Sequence, residues 1–250
     1  MNNLIAAIRF LTIIPVPGKL GAGTEDLAGS LHWFPVVGLL IGIATGGLFY
    51  LVGPYLPMSL AAVLAVALLL VFSGGLHLDG VADCADGFFS SRPRSRMLEI
   101  MRDSHIGAMG VIALILVLAF KGAALFGVEP GKLWQPLLLM PVVGRGAMLV
   151  MMGVLPYARK EGGLASVFYD RTSSLHIGWA LIFMLAMGWL VAGLLGLLAV
   201  VGSLVSLLLF CWFCYGKIGG ATGDTLGAVC EITEAATAVF YVCLLDWLSF

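Results

Sequence analysis

The run from Ile177 to Tyr215 holds 39 residues without a single Asp, Glu, Lys, Arg or His. A helix crosses the hydrocarbon core of a bilayer with about 20 predominantly apolar residues, so this run is nearly twice the needed length. Gly193 and Gly196 lie near its middle, and we expect a tight helical hairpin there. The whole chain agrees: 61% of its 250 residues are apolar and 11% charged, with a mean hydropathy of +1.07, against roughly 45–50% and about 25% in a soluble domain. A water-soluble globule is excluded. The fold class expected is all-α, a polytopic membrane bundle of about seven transmembrane helices forming one integral membrane domain over residues 1–250.

By length and hydropathy the spans are expected at roughly 33–53, 57–76, 107–127, 133–153, 177–195, 197–215 and 235–250. Residues 1–17, with Arg9 in mid-run and no small-residue cleavage site, read as a short interfacial or re-entrant helix rather than a cleavable leader. Gly38, Gly42 and Gly46 repeat every fourth residue, a small-residue face for helix packing. The five cysteines show no disulfide framework. Cys211 and Cys214 form a CxxC filled by Trp212 and Phe213 in an apolar run, and read as facing lipid or core.

The segment 77–106 carries Arg92, Arg94, Arg96 and Arg102, and 154–176 carries Arg159, Lys160 and Arg171, whereas the connections near 54–56 and 194–196 carry no basic residue. Basic loops stay on the cytoplasmic side. With the hairpin counted as two spans, 1–32, 77–106, 154–176 and 216–234 all fall on that side. The expected location is the cytoplasmic (inner) membrane, with 77–106, 154–176 and 216–234 as polar catalytic segments facing the cytoplasm. A net charge of −1 without a polybasic patch argues against nucleic acid as a partner. Membrane lipid is the expected surround, and a homo-oligomer is left open.

Carboxylates concentrate on that face. Asp79, Asp83 and Asp86 follow i, i+4, i+7 spacing and share one stripe of a helix; Glu99 and Asp103 repeat i, i+4; Asp224, Glu231 and Glu234 lie within 11 positions. Like charges at this spacing repel by a few tenths of a kcal/mol per pair in water and by more near a low-dielectric bundle, so a cation is expected among them. Oxygen ligands without companion Cys or His suit Mg²⁺, with Mn²⁺ as a possible substitute, and Mg²⁺ typically completes its shell with substrate phosphate oxygens. The chemistry indicated is phosphoryl transfer. All eight carboxylates are candidate metal ligands. Arg92, Arg96, Arg102, Arg145, Arg159 and Lys217 are candidates for holding phosphate, as are Gly219, Gly220, Thr222 and Gly223, whose backbone amides can cradle an anion. His77 and His105 flank the acidic segment as further substrate-binding candidates. Asp103 is the expected general base, with Asp83, Arg96 and Arg102 beside it as catalytic residues.

The run His77-Leu78-Asp79-Gly80-Val81-Ala82-Asp83-Cys84-Ala85-Asp86-Gly87, followed by Arg96 to Gly107, resembles the signature of the cobalamin synthase (adenosylcobinamide-GDP ribazoletransferase) family. Phe10 to Pro17, Tyr157-Ala158-Arg159 with Gly162-Gly163-Leu164, and Gly219 to Ala228 with Glu231 and Glu234 are similar to it as well, so the resemblance runs nearly the whole length. Two departures are Gly163, one place from its expected position, and His105, where Arg is expected. The resemblance implies a Mg²⁺-dependent reaction in which adenosylcobinamide-GDP loses GMP as its remaining phosphate is joined to α-ribazole or α-ribazole 5′-phosphate.

Two other readings compete. Asp83-x2-Asp86-Gly87 with Glu99-x3-Asp103 also resembles, in part, the aspartate motif of CDP-alcohol phosphotransferases acting on lipid, although Ser90-Ser91-Arg92 stands where that motif has Ala-Arg. An ion-coupled transporter would place its acids in mid-span, and the expected spans leave them at helix ends.

Overall fold

The computed structural model describes residues 2–159 and 161–248, so Lys160 and the last two residues of the expected final span lie outside it. Among the described residues there is no β-strand. The chain forms α1 (Asn2–Leu11), α2 (Thr24–Ala28), α3 (Phe34–Val52), α4 (Met58–Ser73), α5 (Leu76–Phe88), α6 (Arg94–Ile100), α7 (Ala108–Phe126), α8 (Trp134–Val154), α9 (Ser166–Tyr169), α10 (Ser174–Ile218) and α11 (Gly223–Leu248). The helical membrane bundle expected from composition is the architecture observed. Five helices are long and apolar enough to cross a bilayer, or six when the bent pair α4 and α5 is taken as one span. The expected seven is not reached by that count.

The 45-residue α10 is interrupted where expected. Ala192 and Gly193 leave helical geometry, Gly193 at φ 57° and ψ −136°. That positive φ is open to glycine at little cost and strains other residues. A Cβ on Gly196 would lie 2.2 Å from the Gly188 carbonyl oxygen; eight residues of unbroken helix would separate the two by about 12 Å, so the chain has turned back on itself. Cys211 and Cys214 are both buried in the returning half.

α8 is the central post, with α3, α10 and α11 packed around it and most of its side chains buried. Gly38 of α3 meets the Pro141 carbonyl of α8 so closely that a Cβ would lie 2.2 Å from the oxygen, and Gly42 packs on Leu138 one turn away. The small-residue stripe is a packing face there; a Cβ on Gly46 would lie 4.0 Å from Trp134. α1 is too short to span, and its Arg9 binds the carbonyls of Val16, Gly18 and Leu20, closing the following loop over the helix.

The bundle has a polar end. Arg94 binds the Ala158 carbonyl, Arg102 pairs with Glu161, Arg159 with Asp224 and Arg171 with Glu25, so segments from 1–32, 77–106, 154–176 and the start of α11 meet there. Gln135 reaches the Val191 carbonyl at the opposite end, beside the hairpin.

The final span departs from expectation. It begins at Gly223, so the segment expected to stay polar to residue 234 is helix from its eighth residue on. Its carboxylates broke the apolar pattern, but they are neutralised inside the bundle. Lys121 Nζ of α7 lies 2.7 Å from Glu231 Oε2 and 2.6 Å from Glu234 Oε2, and Arg145 of α8 pairs with Glu234 Oε1. All four side chains are 3% exposed or less. Two cations and two anions sum to zero, which is the condition under which such groups can be buried at membrane depth. Acids do lie in mid-span, contrary to expectation, but as a closed quartet.

Candidate functional site

α5 and α11 cross closely at the polar end. A Cβ on Gly80 would lie 2.3 Å from the Asp224 carbonyl oxygen; only glycine allows this approach, and it sets Asp79 and Asp83 of α5 beside the first turn of α11. That turn is held by reciprocal capping: the Thr222 amide donates to Thr225 Oγ1 at 2.8 Å and the Thr225 amide to Thr222 Oγ1 at 3.3 Å, a threonine version of the capping box. The strand-like contact of Tyr157 with Ala221, through Ala158 N to Ala221 O at 2.8 Å and Ala221 N to Pro156 O at 2.9 Å, then carries Arg159 across to Asp224 Oδ2 at 2.6 Å.

A cavity of about 260 Å³ opens between these elements, with Asp79, Arg159, Asp224, Tyr157 and His77 on its polar wall. Phe10, Phe34 and Phe168 close its apolar side, their rings 5.4 to 6.1 Å apart. A second cavity of about 470 Å³ is lined by Arg94, Arg102 and Arg159 together with Glu99 and Glu161. Arg159 belongs to both.

Asp83 lies one turn from Asp79. The charges of Asp79, Asp224 and Asp86 all act on it, offset in part by Arg159. Neither Asp79 nor Asp83 has a hydrogen-bond or ion-pair partner among the described residues. As the side chains stand, no three His, Cys, Asp or Glu groups among the described residues converge on one point. The donor set nonetheless has the chemistry of a hard divalent cation: carboxylate oxygens, mutual repulsion, and two acids whose lone pairs are not otherwise used.

Asp86, on the same stripe, is committed elsewhere. Its Oδ2 accepts the Gly107 amide at 2.7 Å and its Oδ1 the Gly110 amide at 2.8 Å, so it neutralises the N-terminus of α7 as a cap supplied from another helix. Glu231 and Glu234 lie about 10 and 15 Å farther along α11 than Asp224, at 1.5 Å per residue, and are held by Lys121 and Arg145. The structure separates these three from Asp79, Asp83 and Asp224.

Glu99 pairs with Arg96 on the exposed face of α6. Asp103 is also exposed. It accepts the His105 amide at 3.1 Å and lies 2.6 Å from His105 Nδ1, and these bonds hold its carboxyl below the ordinary range. Asp103 and His105 line neither of these two cavities, and Arg92 stands exposed outside both. Lys217 lies away from both as well: its ammonium donates to the Phe88 carbonyl at 2.8 Å and sits 5.4 Å from the Phe213 ring centre. Of the glycine-rich run, Gly223 lines the first cavity. The amides of Gly219, Ala221, Thr222 and Thr225 are used within the protein, so two of the four donors expected in the cradle, Gly219 and Thr222, are already committed. Gly220 packs against the Pro156 carbonyl.

Three residues that matter here were not singled out beforehand. Lys121 had a signal, being the one charge within the apolar run Ala108–Phe126. Arg94 is one of four arginines in a basic segment, and Tyr157 stands in the Tyr157-Ala158-Arg159 run that carries part of the family resemblance, with nothing in the sequence to mark its phenol as a cavity group. Partial burial raises the Tyr157 phenol above its ordinary value, so it is an O–H donor at neutral pH. His77 is buried under the first cavity, with Arg145 Nη2 at 3.5 Å from its Nδ1. A guanidinium only donates; Nδ1 is therefore the acceptor and Nε2 carries the proton. That Nε2 is buried and has no partner, a donor awaiting an acceptor.

Comparison with known proteins agrees in extent. No solved structure matches the chain. An adenosylcobinamide-GDP ribazoletransferase of Geotalea daltonii is 41% identical over 229 residues, covering 91% of this chain and 92% of its own. Those of Acetivibrio thermocellus and Chlorobaculum tepidum are 39% and 40% identical over 96% and 94% of this chain and 97% and 93% of theirs. The family profile described as Cobalamin-5-phosphate synthase matches residues 3–242, and with these relatives it shows that the chain belongs to the cobalamin-5-phosphate synthase family.

Proposed function

We propose that this protein is an adenosylcobinamide-GDP ribazoletransferase of the cytoplasmic membrane, with its polar end facing the cytoplasm. The ribazole hydroxyl oxygen bonds to the phosphorus attached to cobinamide, the bond to the GMP oxygen breaks, GMP leaves, and the hydroxyl proton passes to solvent. The observation that carries the reading is the meeting of Asp79, Asp83 and Asp224 with Arg159 between two cavities, one walled by carboxylates and aromatic rings and the other by three arginines.

Asp79, Asp83 and Asp224 are the residues that would hold Mg²⁺, which when bound offsets the negative charge developing on the transferred phosphate. Arg94, Arg102 and Arg159 hold the nucleotide phosphates, their planar forks matching phosphate oxygens in pairs. Arg159 releases Asp224 as it does so. Tyr157 O–H and His77 Nε2–H donate to acceptor oxygens in the first cavity. Positioning and charge compensation of this kind are most of what phosphoryl transfer needs from a protein.

The test is turnover by purified, reconstituted protein. GMP release is expected with adenosylcobinamide-GDP and either α-ribazole or its 5′-phosphate, to depend on Mg²⁺ and to survive replacement by Mn²⁺. Turnover of CDP-diacylglycerol with an alcohol in place of the corrinoid pair would overturn the proposal in favour of a lipid phosphotransferase.

A further inference from the structure

Three helices leave an uncovered groove in the apolar part of the bundle. α7 and the returning half of α10 make almost no contact with each other, although both flank α11. Between them lies a cavity of about 520 Å³, several times the volume of about 150 Å³ that accommodates one benzene ring. Each helix turns one stripe toward it: Ala113, Val117 and Phe120 from α7, Ser206, Phe210 and Phe213 from α10, Ile232, Ala236 and Val239 from α11. Spacings of three and four residues put each set on one face. Alanines hollow the floor and phenyl rings make the walls. The only hydroxyl, Ser206, is spent on the Gly202 carbonyl of its own helix.

The groove opens sideways. Leu116 and Phe120, which line it from α7, are each more than half exposed, and the helices that wall it, α7, α10 and α11, are of spanning length and apolarity. Its end toward the polar side of the bundle carries one charge. Lys217 follows the last wall residue of α10 by one turn, lies over the Phe213 ring and donates to the carbonyl of Phe88, itself a wall residue. An ammonium has three donors, and one is used here. No carboxylate among the described residues pairs with it.

We infer that this groove is a binding site for one anionic glycerophospholipid, an acyl chain lying between α7 and α10 and the lipid phosphate held by Lys217. The occupant follows from the surroundings: a sideways opening at hydrocarbon depth admits chains from the bilayer, and an unpaired cation at the headgroup end selects phosphate-bearing lipid with net negative charge. The site is separate from both polar cavities, whose linings it does not share.

The full chain, purified in mild detergent and offered equal amounts of phosphatidylglycerol and phosphatidylcholine, is examined by native mass spectrometry. Wild type is expected to retain one phosphatidylglycerol, preferred by about fivefold, the selectivity of roughly one lysine at a membrane surface. Ala236→Trp fills the groove and should lose the bound lipid. Lys217→Gln should keep a lipid but retain both kinds equally. Circular dichroism and thermal unfolding check that each variant is folded, and Ala113→Phe, which plugs the groove from α7, replaces Ala236→Trp if that variant does not fold. Undiminished phosphatidylglycerol on a folded plugged variant, or equal retention of the two lipids by wild type, overturns the inference. So does a dimer mass free of lipid, which would seat a helix of a second copy there.

Discussion

Arg159 and Asp224 form a half-buried ion pair, Nη2 to Oδ2 2.6 Å, across the mouth shared by the two polar cavities. Each partner is wanted by something else: the carboxylate by a cation, the guanidinium by a phosphate. The pair keeps both in place until they are exchanged. Arg159→Gln should therefore raise KM for the corrinoid nucleotide by about tenfold or more, the value of a charge-assisted hydrogen bond, in protein that circular dichroism shows to be folded. An unchanged KM would remove Arg159 from the phosphate site.

Asp83→Asn preserves shape while removing a hard anionic ligand. Turnover should fall by about a hundredfold or more, and Mn²⁺ binding, followed by electron paramagnetic resonance, should weaken in parallel. Normal turnover across a range of Mg²⁺ concentrations would exclude Asp83 from the site.

Lys121→Met strands Glu231 at membrane depth and takes one of two cationic partners from Glu234. Breaking a buried pair from one side costs about 3–5 kcal/mol, which unfolding in mixed detergent will register. Removing one acid as well, in Lys121→Met/Glu231→Gln, should recover much of that loss, because Arg145 still pairs with Glu234. A single variant as stable as wild type would show that the quartet carries no structural load.

Asp103 separates two accounts of proton removal. Its carboxyl lies below the ordinary range because His105 donates to it, so the bonded form persists at and above neutral pH and is lost only as pH falls through that depressed value. It is exposed and outside the linings of both polar cavities, where the proposed reaction takes place. Asp103→Asn should keep kcat within about threefold and retain the acidic limb of its pH profile. Loss of that limb at normal Mg²⁺ dependence would restore Asp103 as the general base.

The hairpin at Gly193 was legible because a charge-free run of that length has few ways to sit in a bilayer. The eight carboxylates were legible together as candidates because hard ligands at helical spacing are conspicuous in so uncharged a chain. What spacing could not show was which member of a stripe is already bound: Asp79, Asp83 and Asp86 are alike in sequence, and only the position of the α7 N-terminus distinguishes the third. The pairing of Glu231 and Glu234 inside the bundle was hidden for a related reason. Their partners Lys121 and Arg145 lie on other helices, 110 and 89 positions away in the closest pairs, and periodicity carries no information about contacts so distant in the chain.

The attachment of Asp86 to the start of α7 changes what a loss-of-function screen would report. Asp86→Ala removes both acceptors of an N-terminal cap, a loss of about 1–2 kcal/mol, and loosens the helix that carries Lys121. Cells bearing it would make less cobamide because they accumulate less enzyme, whereas cells bearing Asp83→Asn would hold full amounts of an inert one. Scored by growth alone, the two aspartates would pass for one catalytic unit. Immunoblots of the membrane fraction would divide them.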